Sequence, residues 1–563
     1  MQTRIPFPPF RRRYYGLLGC LLTLPAFSQV SSELADIELQ RQQQREEARR
    51  RLDEATPDVR LQSPMLPKPT GYPAGETPCF VIREVKLEGD EAGRFQWALA
   101  AAAPALGRCL GSTGINTAVA EIQNVLIERG YVTSRVLAAP QDLQSGKLHL
   151  KLVPGRIRAI RFADAALQGR YMSALPTRTG DILNLRAIEQ GLENFKRVPG
   201  TQADIQIVPG ELPGESDLLI KWAGGHGYRF SFSADDSGTR STGTYQGGIT
   251  VSLDNPTGLH DLLYATLNRN LPGDSPGGAL GTKGYALHYS IPYGYWLGSL
   301  QMNEYRYHQT VAGANQDYIY RGTSTNSELK LARLVYRDAV RKSTLSLRAY
   351  QRRSRNFIDD TEVEVQRRRM GGFALGIHHK EFIGNSTLEA GFTWKLGTSA
   401  FGTLPAPEEQ YGEGTARPRI FNADISLNVP LGRTVVFQSA WRGQWNRTPL
   451  VPQDRFAIGG RYTVRGFDGD ASLSAERGAV LRNDLIWTVP GTGQQLYVAL
   501  DHGVVSGPSA ANLVGTRLSG AAAGWRGRLG GLQVDVFAGK PVRMPERFRT
   551  ASVAAGFNLN YEY

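Results

Sequence analysis

The sequence predicts a mainly β protein: a transmembrane barrel of roughly 16 strands, preceded by an N-terminal helix and two small β-α-α-β-β modules. Three observations carry that prediction. The chain opens with a segment built like a secretory leader, so its mature part is exported. Two stretches of similar length between residues 79 and 223 repeat one order of strand and helix signals. From residue 224 onward helical spacing disappears, and short segments alternate apolar with polar residues to the C-terminus.

Residues 1–28 read as a signal peptide. Arg4, Arg11, Arg12 and Arg13 form its positive end, Tyr14 to Leu24 its apolar run, and Ala26-Phe27-Ser28 its cleavage site. About eleven apolar residues are too few to span a bilayer, which argues against an anchor. Leu17-Leu18-Gly19-Cys20 also has the form of a lipoprotein site, but the apolar run continues past Cys20. Loss of this leader removes four arginines and no acids, taking the formal charge from +13 to +9. In a cytosolic protein such a balance suggests nucleic acid. Export turns the expectation toward solvated loops or a cationic pore wall, with no nucleic-acid partner.

Residues 29–55 form the N-terminal helical segment. From Ser31 they are rich in Glu, Gln and Arg and lack Gly and Pro, and Glu46/Arg50 and Glu47/Arg51 sit at i,i+4 spacing. Leu34 and Ile37 give only a thin apolar stripe. A helix this polar is solvated, disordered, or held in a wet cavity. Residues 56–78 carry Pro57, Pro64, Pro67, Pro69, Pro73 and Pro78. They read as an extended linker with a reach of about 50 Å or more at about 3 Å per residue.

The first module spans 79–155. It has a strand from Phe80 to Leu87, an alanine-rich helical stretch at 95–106, and a helix with Ile115, Val119, Ile122 and Leu126 on one face. Strands follow from Thr133 to Ala138 and from Lys147 to Val153. The second module, 156–223, begins with Ile157 to Phe162. Its helix aligns Leu185, Ile188, Leu192 and Phe195, and strands follow at 203–208 and 216–222. With Cys20 in the leader, the mature chain keeps Cys79 and Cys109. In an oxidising compartment they suggest one disulfide, which stabilises by about 3–4 kcal/mol less any strain. Two thiols without nearby histidines make a poor metal site.

The barrel is placed at 224–563. Tyr228/Phe230/Phe232, Ile249/Val251/Leu253, Leu388/Ala390/Phe392/Trp394 and Leu496/Val498/Leu500 are examples of its period-two runs. An exported chain with this much alternation, and aromatics at the segment ends, fits a membrane barrel better than a soluble sandwich. Enzymatic signals are absent: there is no HExxH, no GxSxG and no phosphate loop ending in GK[ST], and the eight histidines are scattered. No catalytic residue, cofactor or metal is expected.

Two strings inside the barrel region stand out. Gly459 to Gly469 is a glycine-bounded loop that presents Arg465 beside Phe467. On the strand at 496–505, Tyr497, Ala499, Asp501 and Gly503 share one face. Leu496, Val498 and Leu500 take the lipid side, so Asp501 points into the lumen, where a carboxylate wants a cation. Arg465 on a re-entrant loop can supply it through a charge-assisted bond.

Taken together, this order of elements resembles the two-partner secretion transporters (TpsB) of the Omp85 superfamily, over the whole mature chain. Val464-Arg465-Gly466-Phe467 looks like that family's VRG[YF] motif at the tip of the sixth extracellular loop. Tyr497, Asp501 and Gly503 look like its F-x-x-x-D-x-G strand motif, with Tyr where Phe is usual. Gly130 to Val136 and Gly180 to Arg186 resemble signatures of its periplasmic POTRA modules, and Cys79 and Cys109 match a disulfide pair there. The final Tyr563 replaces the usual Phe. The resemblance implies an outer-membrane protein with its modules in the periplasm. They would capture a large unfolded exoprotein by its N-terminal secretion domain, and the helix would plug the pore at rest. A monomer without enzymatic activity is expected. The alternative is an assembly factor of the same superfamily that inserts other barrel proteins.

Overall fold

A computed structural model describes residues 38–47, 58–62, 71–164, 173–224, 227–273, 279–313 and 315–563. The expected leader, and the parts of the helix and linker outside these ranges, lie beyond the described residues.

Residues 38–47 are helical. In the first module, the stretch expected as one strand divides in two. Phe80–Val81 pairs with Cys109–Leu110, and Glu84–Glu88 pairs in parallel with Lys147–Val153, which also takes Arg135–Ala138 antiparallel. The Cys79–Cys109 disulfide closes beside the smaller pair. The alanine-rich stretch is a run of 3₁₀ turns over Ala92–Ala105 rather than an α-helix, with Pro104, which lacks an N–H, inside it. Its small side chains and the α-helix Ser112–Glu128 cover the sheet around Phe95, Ile122, Leu126 and Leu150.

The second module has Arg156–Phe162, Gln202–Pro209 and Glu215–Ala223 in one sheet, with Glu215–Ala223 central. Its helix Leu185–Lys196 seats Leu185, Ile188, Leu192 and Phe195 in the core, and Asn184 caps it by accepting from the Arg186 N–H. No first helix of this module lies among the described residues; 165–172 fall outside them. The two signature strings meet at the junction of the modules. The Leu185 N–H donates to the Gly130 carbonyl (2.8 Å), and Asn184 Nδ2 to the Arg129 carbonyl (3.1 Å). Gly130 has φ +94°, and a Cβ there would lie 2.8 Å from Asn184 Oδ1. Arg156 ties back to Asp90 and Glu91 of the first module at 2.6 and 2.7 Å.

The linker is docked rather than free over its described stretches. Glu76 accepts the N–H groups of Gly111, Thr113 and Gly114 at 2.7–2.9 Å. It caps a helix whose own N-cap residue is a glycine. Val59 packs into the core of the second module.

Residues 228–562 form a closed, all-antiparallel barrel of 16 strands. The first strand is Tyr228–Asp235 and the last Ala554–Glu562, and the longest, Asp317–Arg337, runs for 21 residues. Closure rests on Asn558 to Glu562 facing Asp235 to Ser231, extended by mutual backbone bonds between Phe230 and Tyr563 (3.2 and 2.9 Å). The terminal Tyr563 therefore contributes to the seam through its main chain. Leucine, isoleucine and aromatic side chains such as Leu329, Leu347, Leu375 and Trp487 project outward, as a lipid-facing wall requires.

Candidate functional site

The site is the barrel lumen, which three elements fill or line. The loop between strands Val435–Asn446 and Arg477–Thr488 folds back inside. At its tip Val464 is fully buried, in an apolar cluster with Ile458, Leu473, Val480, Val505 and Leu518. Phe467 meets Phe548 edge to face at 5.7 Å. Arg465, 3% exposed, reaches Asp501, which is 0% exposed on strand Gln495–Ser506. Nε donates to Oδ2 and Nη2 to Oδ1, both at 2.7 Å, and the Arg465 backbone N–H adds a third bond to Oδ2 at 3.0 Å. This two-pronged geometry fixes orientation as well as charge. On the same strand the burial alternates: Tyr497, Ala499, Asp501 and Gly503 inward, Leu496, Val498 and Leu500 outward.

Several lumen residues were not singled out from the sequence. Asp484, on the neighbouring strand, accepts Arg465 Nη1 at 2.5 Å, so the guanidinium bridges two carboxylates. Arg482 sits 3.8 Å from Asp501. Glycines on three adjacent strands make room for the loop. A Cβ on Gly503 would meet Val464 at 2.8 Å, one on Gly520 the Arg465 carbonyl at 1.9 Å, and one on Gly539 the Cα of Gly466 at 3.0 Å. Gly466, at φ +97°, lies against the Lys540 backbone, where its own Cβ would fall 2.4 Å from the carbonyl oxygen. Tyr497 uses its hydroxyl, donating to Asp535 at 3.0 Å under the Arg526 guanidinium. No periodicity marks cross-strand partners such as these.

Helix 38–47 also lies in the lumen. Glu38 accepts from the Tyr305 hydroxyl, Thr242 Oγ1 (3.0 Å) and Thr239 Oγ1 (3.2 Å). Arg45 pairs with Asp235 at 2.7 Å, and Glu46 takes the Asn303 amide. Toward the re-entrant loop, Gln40 donates to the Pro452 carbonyl (2.7 Å) and Ser474 (3.0 Å), Arg41 to the Asp468 carbonyl (3.0 Å) and Gln44 to the Ala457 carbonyl (3.2 Å). The helix is held to wall and loop by polar contacts, which water can replace when they part.

At the opposite end of the barrel the second module and the linker dock together. Arg337 donates to Glu189 (3.1 Å), Glu193 (2.9 Å) and the Val59 carbonyl (2.6 Å). Asp58 is clasped by Lys342 and Lys380, both at 2.5 Å. Arg60 stacks over Phe382, and Phe195 packs on His260 in a periplasmic turn.

Comparison with known proteins agrees with this architecture. Residues 214–527 match the family of haemolysin secretion/activation proteins ShlB/FhaC/HecB. Residues 80–155 match the ShlB-type POTRA domain, and residues 156–209 a further POTRA domain. The outer membrane transporter CdiB-2 of Burkholderia pseudomallei is 34% identical over 92% of this chain and 94% of its own length. The haemolysin transporter HpmB of Proteus mirabilis is 25% identical over 68% of each chain. The solved structure of CdiB from Acinetobacter baumannii superposes with a TM-score of 0.83 at 29% identity, covering 94% of this chain and 99% of that one.

Proposed function

The chain belongs to the ShlB/FhaC/HecB family of secretion/activation proteins and is an outer-membrane two-partner secretion transporter. From that premise we propose that it exports one very large exoprotein, of the contact-dependent inhibition class that its CdiB relatives suggest. The protein acts as a monomer and performs no enzymatic step. The POTRA domains take the N-terminal secretion domain of the passenger while it is unfolded, since extended chain can add to a sheet edge. The passenger then threads the barrel, drawn by its own folding outside the cell.

One observation carries this reading. Two elements stand in the lumen, helix 38–47, held by exchangeable polar contacts, and the loop bearing Arg465, which is held to the wall by the Arg465–Asp501 pair and an apolar cluster around Val464. Removing them converts the barrel into a conduit without unfolding it. Arg465 and Asp501 set the resting position of the loop, with Val464, Gly466 and Phe467 shaping its tip. Tyr497 and Gly503 shape the wall it rests on.

The test compares passenger in the medium with passenger in the periplasm, in strains with the gene intact, deleted, or carrying Asp501→Ala. Loss of the exported form with other outer-membrane proteins at normal levels supports a dedicated transporter. A general fall in outer-membrane barrels would identify an assembly factor instead. Undiminished secretion by Asp501→Ala, at wild-type abundance, would remove the loop pair from the mechanism.

A further inference from the structure

The outer face of the barrel wall carries a basic patch that neither the lumen nor the passenger path uses. Arg269, Lys283, Arg306, Arg321, Arg353 and Arg355 all lie on the extracellular halves of consecutive strands, and all are exposed. Alternation fixes their direction. Tyr305 and Tyr307 point inward and are buried, so Arg306 points outward, and buried Ser354 and Asn356 place Arg353 and Arg355 outward in the same way.

The register makes the patch contiguous. Arg269 faces Lys283 directly across one strand pair, and Lys283 faces Arg306 across the next. Arg306 faces Thr323, which faces Arg355, and Arg321 and Arg353 flank that row. Like charges directly opposite on one sheet face are destabilising. Here the same sign occupies three facing positions in succession. The available carboxylates offset little of it. Glu304 pairs with Arg306 at 2.6 Å and Asp360 with Arg321 at 2.9 Å, while Asp317 stands at the extracellular start of its strand. Arg269, Lys283 and Arg353 have no carboxylate partner among the described residues, and Arg355 has only the nearby charge of Glu362, which is itself bound by Arg367.

Just toward the membrane from the patch lie Leu267, Leu287, Met302 and Leu329, all outward and exposed. The wall thus presents an apolar surface that passes directly into a cationic one, at the level of the outer leaflet headgroups. Two strands beyond the patch, the outward positions of strand Ser386–Thr398 carry no basic residue. The patch therefore ends on that side, and the exposed Arg477, Arg517 and Arg543, at the ends of strands across the barrel, stand apart from it.

We propose that this face binds a phosphorylated glycolipid of the outer leaflet, with its phosphates on the arginine row and its acyl chains along the leucines below. Guanidinium groups match phosphate oxygens in pairs. A membrane-anchored anion also supplies the counter-charge that the facing cations lack. Such a lipid would brace the strands that bear Tyr305 and Asn303, which hold the luminal helix from the other side of the same wall.

The test uses the purified full-length transporter in detergent, titrated with bisphosphorylated lipid A and followed by native mass spectrometry. Variant R269Q/K283Q/R306Q is expected to lose about tenfold or more in affinity, and R353Q/R355Q, confined to one strand, to lose affinity as well. A charge-matched variant on the far side, R477Q/R517Q/R543Q, is expected to bind like the parent. Dephosphorylated lipid A should bind weakly to the unmodified protein, so the proposal stays testable if a variant fails to fold. Equal affinity for dephosphorylated lipid A or for phosphatidylglycerol would overturn it. So would equal loss in the far-side variant, or undiminished binding by both patch variants. Equally tight binding of the deacylated, bisphosphorylated disaccharide would also overturn it, by reducing the site to a phosphate trap without a lipid.

Discussion

Asp501 shows how a single carboxylate can set the position of a loop. It is wholly buried and accepts three hydrogen bonds from Arg465, whereas Asp484, at 15% side-chain exposure, accepts one. Removing one partner of a buried pair costs about 3–5 kcal/mol because the other charge is stranded, while a partly solvated partner costs about 1 kcal/mol. Asp501→Asn should therefore lower the heat-unfolding midpoint of the barrel, read by electrophoretic mobility, far more than Asp484→Asn; the reverse order would refute this assignment. Tyr497→Phe gives up only the bond to Asp535, about 1 kcal/mol, and should secrete normally. Glu76 offers a pH test outside the membrane. Partial burial works against its charge, but the N–H groups of Gly111, Gly114 and Thr113 prevail and hold its carboxyl below the ordinary 4.5. A lowered folded-state value means that the stabilisation is present above the unfolded value and fades as pH falls through the folded one. Glu76→Gln should hence speed amide exchange in helix Ser112–Glu128 at neutral pH, and differ little from the parent under strongly acid conditions.

Among the elements, the segment 58–62 does most to join the parts. It is caught between the helix Leu185–Lys196 and the periplasmic ends of three strands. Its backbone N–H groups donate to Glu193 (3.0 Å, from Val59) and Glu189 (2.8 Å, from Leu61), and its Asp58 takes two lysines. Glu189 is 0% exposed, so Arg337→Ala would leave a buried carboxylate short of a cation, although Arg186 still reaches it. We expect that variant to loosen the second module from the barrel. Limited proteolysis should then nick the chain near residue 60, and an unchanged cleavage pattern would show that the clasp is not what holds the segment. The luminal helix is a parallel case inside the barrel. Its attachments to the wall centre on Glu38, Arg45 and Glu46, so Arg45→Ala, which leaves Asp235 unpaired by the helix, should raise the single-channel conductance of the reconstituted protein. A conductance equal to the parent would mean that the remaining contacts suffice.

Across the whole molecule, what the sequence disclosed and what it hid divide by the range of the interaction. Period-two alternation is a local signal, so the direction of Asp501 and Leu500 could be read directly, and so could the helical face of Leu185, Ile188, Leu192 and Phe195. The pairing of Arg465 with Asp501 was legible because each stands in a marked string. Asp484, Gly520 and Gly539 were not, because each matters only through a neighbour brought near by closure of the barrel. The docking of the linker was hidden for a related reason: its prolines describe an extended chain, and extended chain can be docked as readily as free, as Glu76 and Asp58 show. The same long-range contacts bear on transport. If the passenger must displace the helix, tying helix to wall should stop secretion without harming insertion. Glu46 and Asn303 already touch, and Cys79 and Cys109 are joined to each other, so cysteines at 46 and 303 would be the free thiols once the expected leader, with Cys20, is cleaved. A short bis-maleimide added to such cells should trap the passenger in the periplasm. Either single-cysteine protein, treated alike, should secrete normally. Continued secretion by the cross-linked form would mean that the passenger leaves by a path that does not require the helix to move, and the conduit reading of the lumen would fall with it.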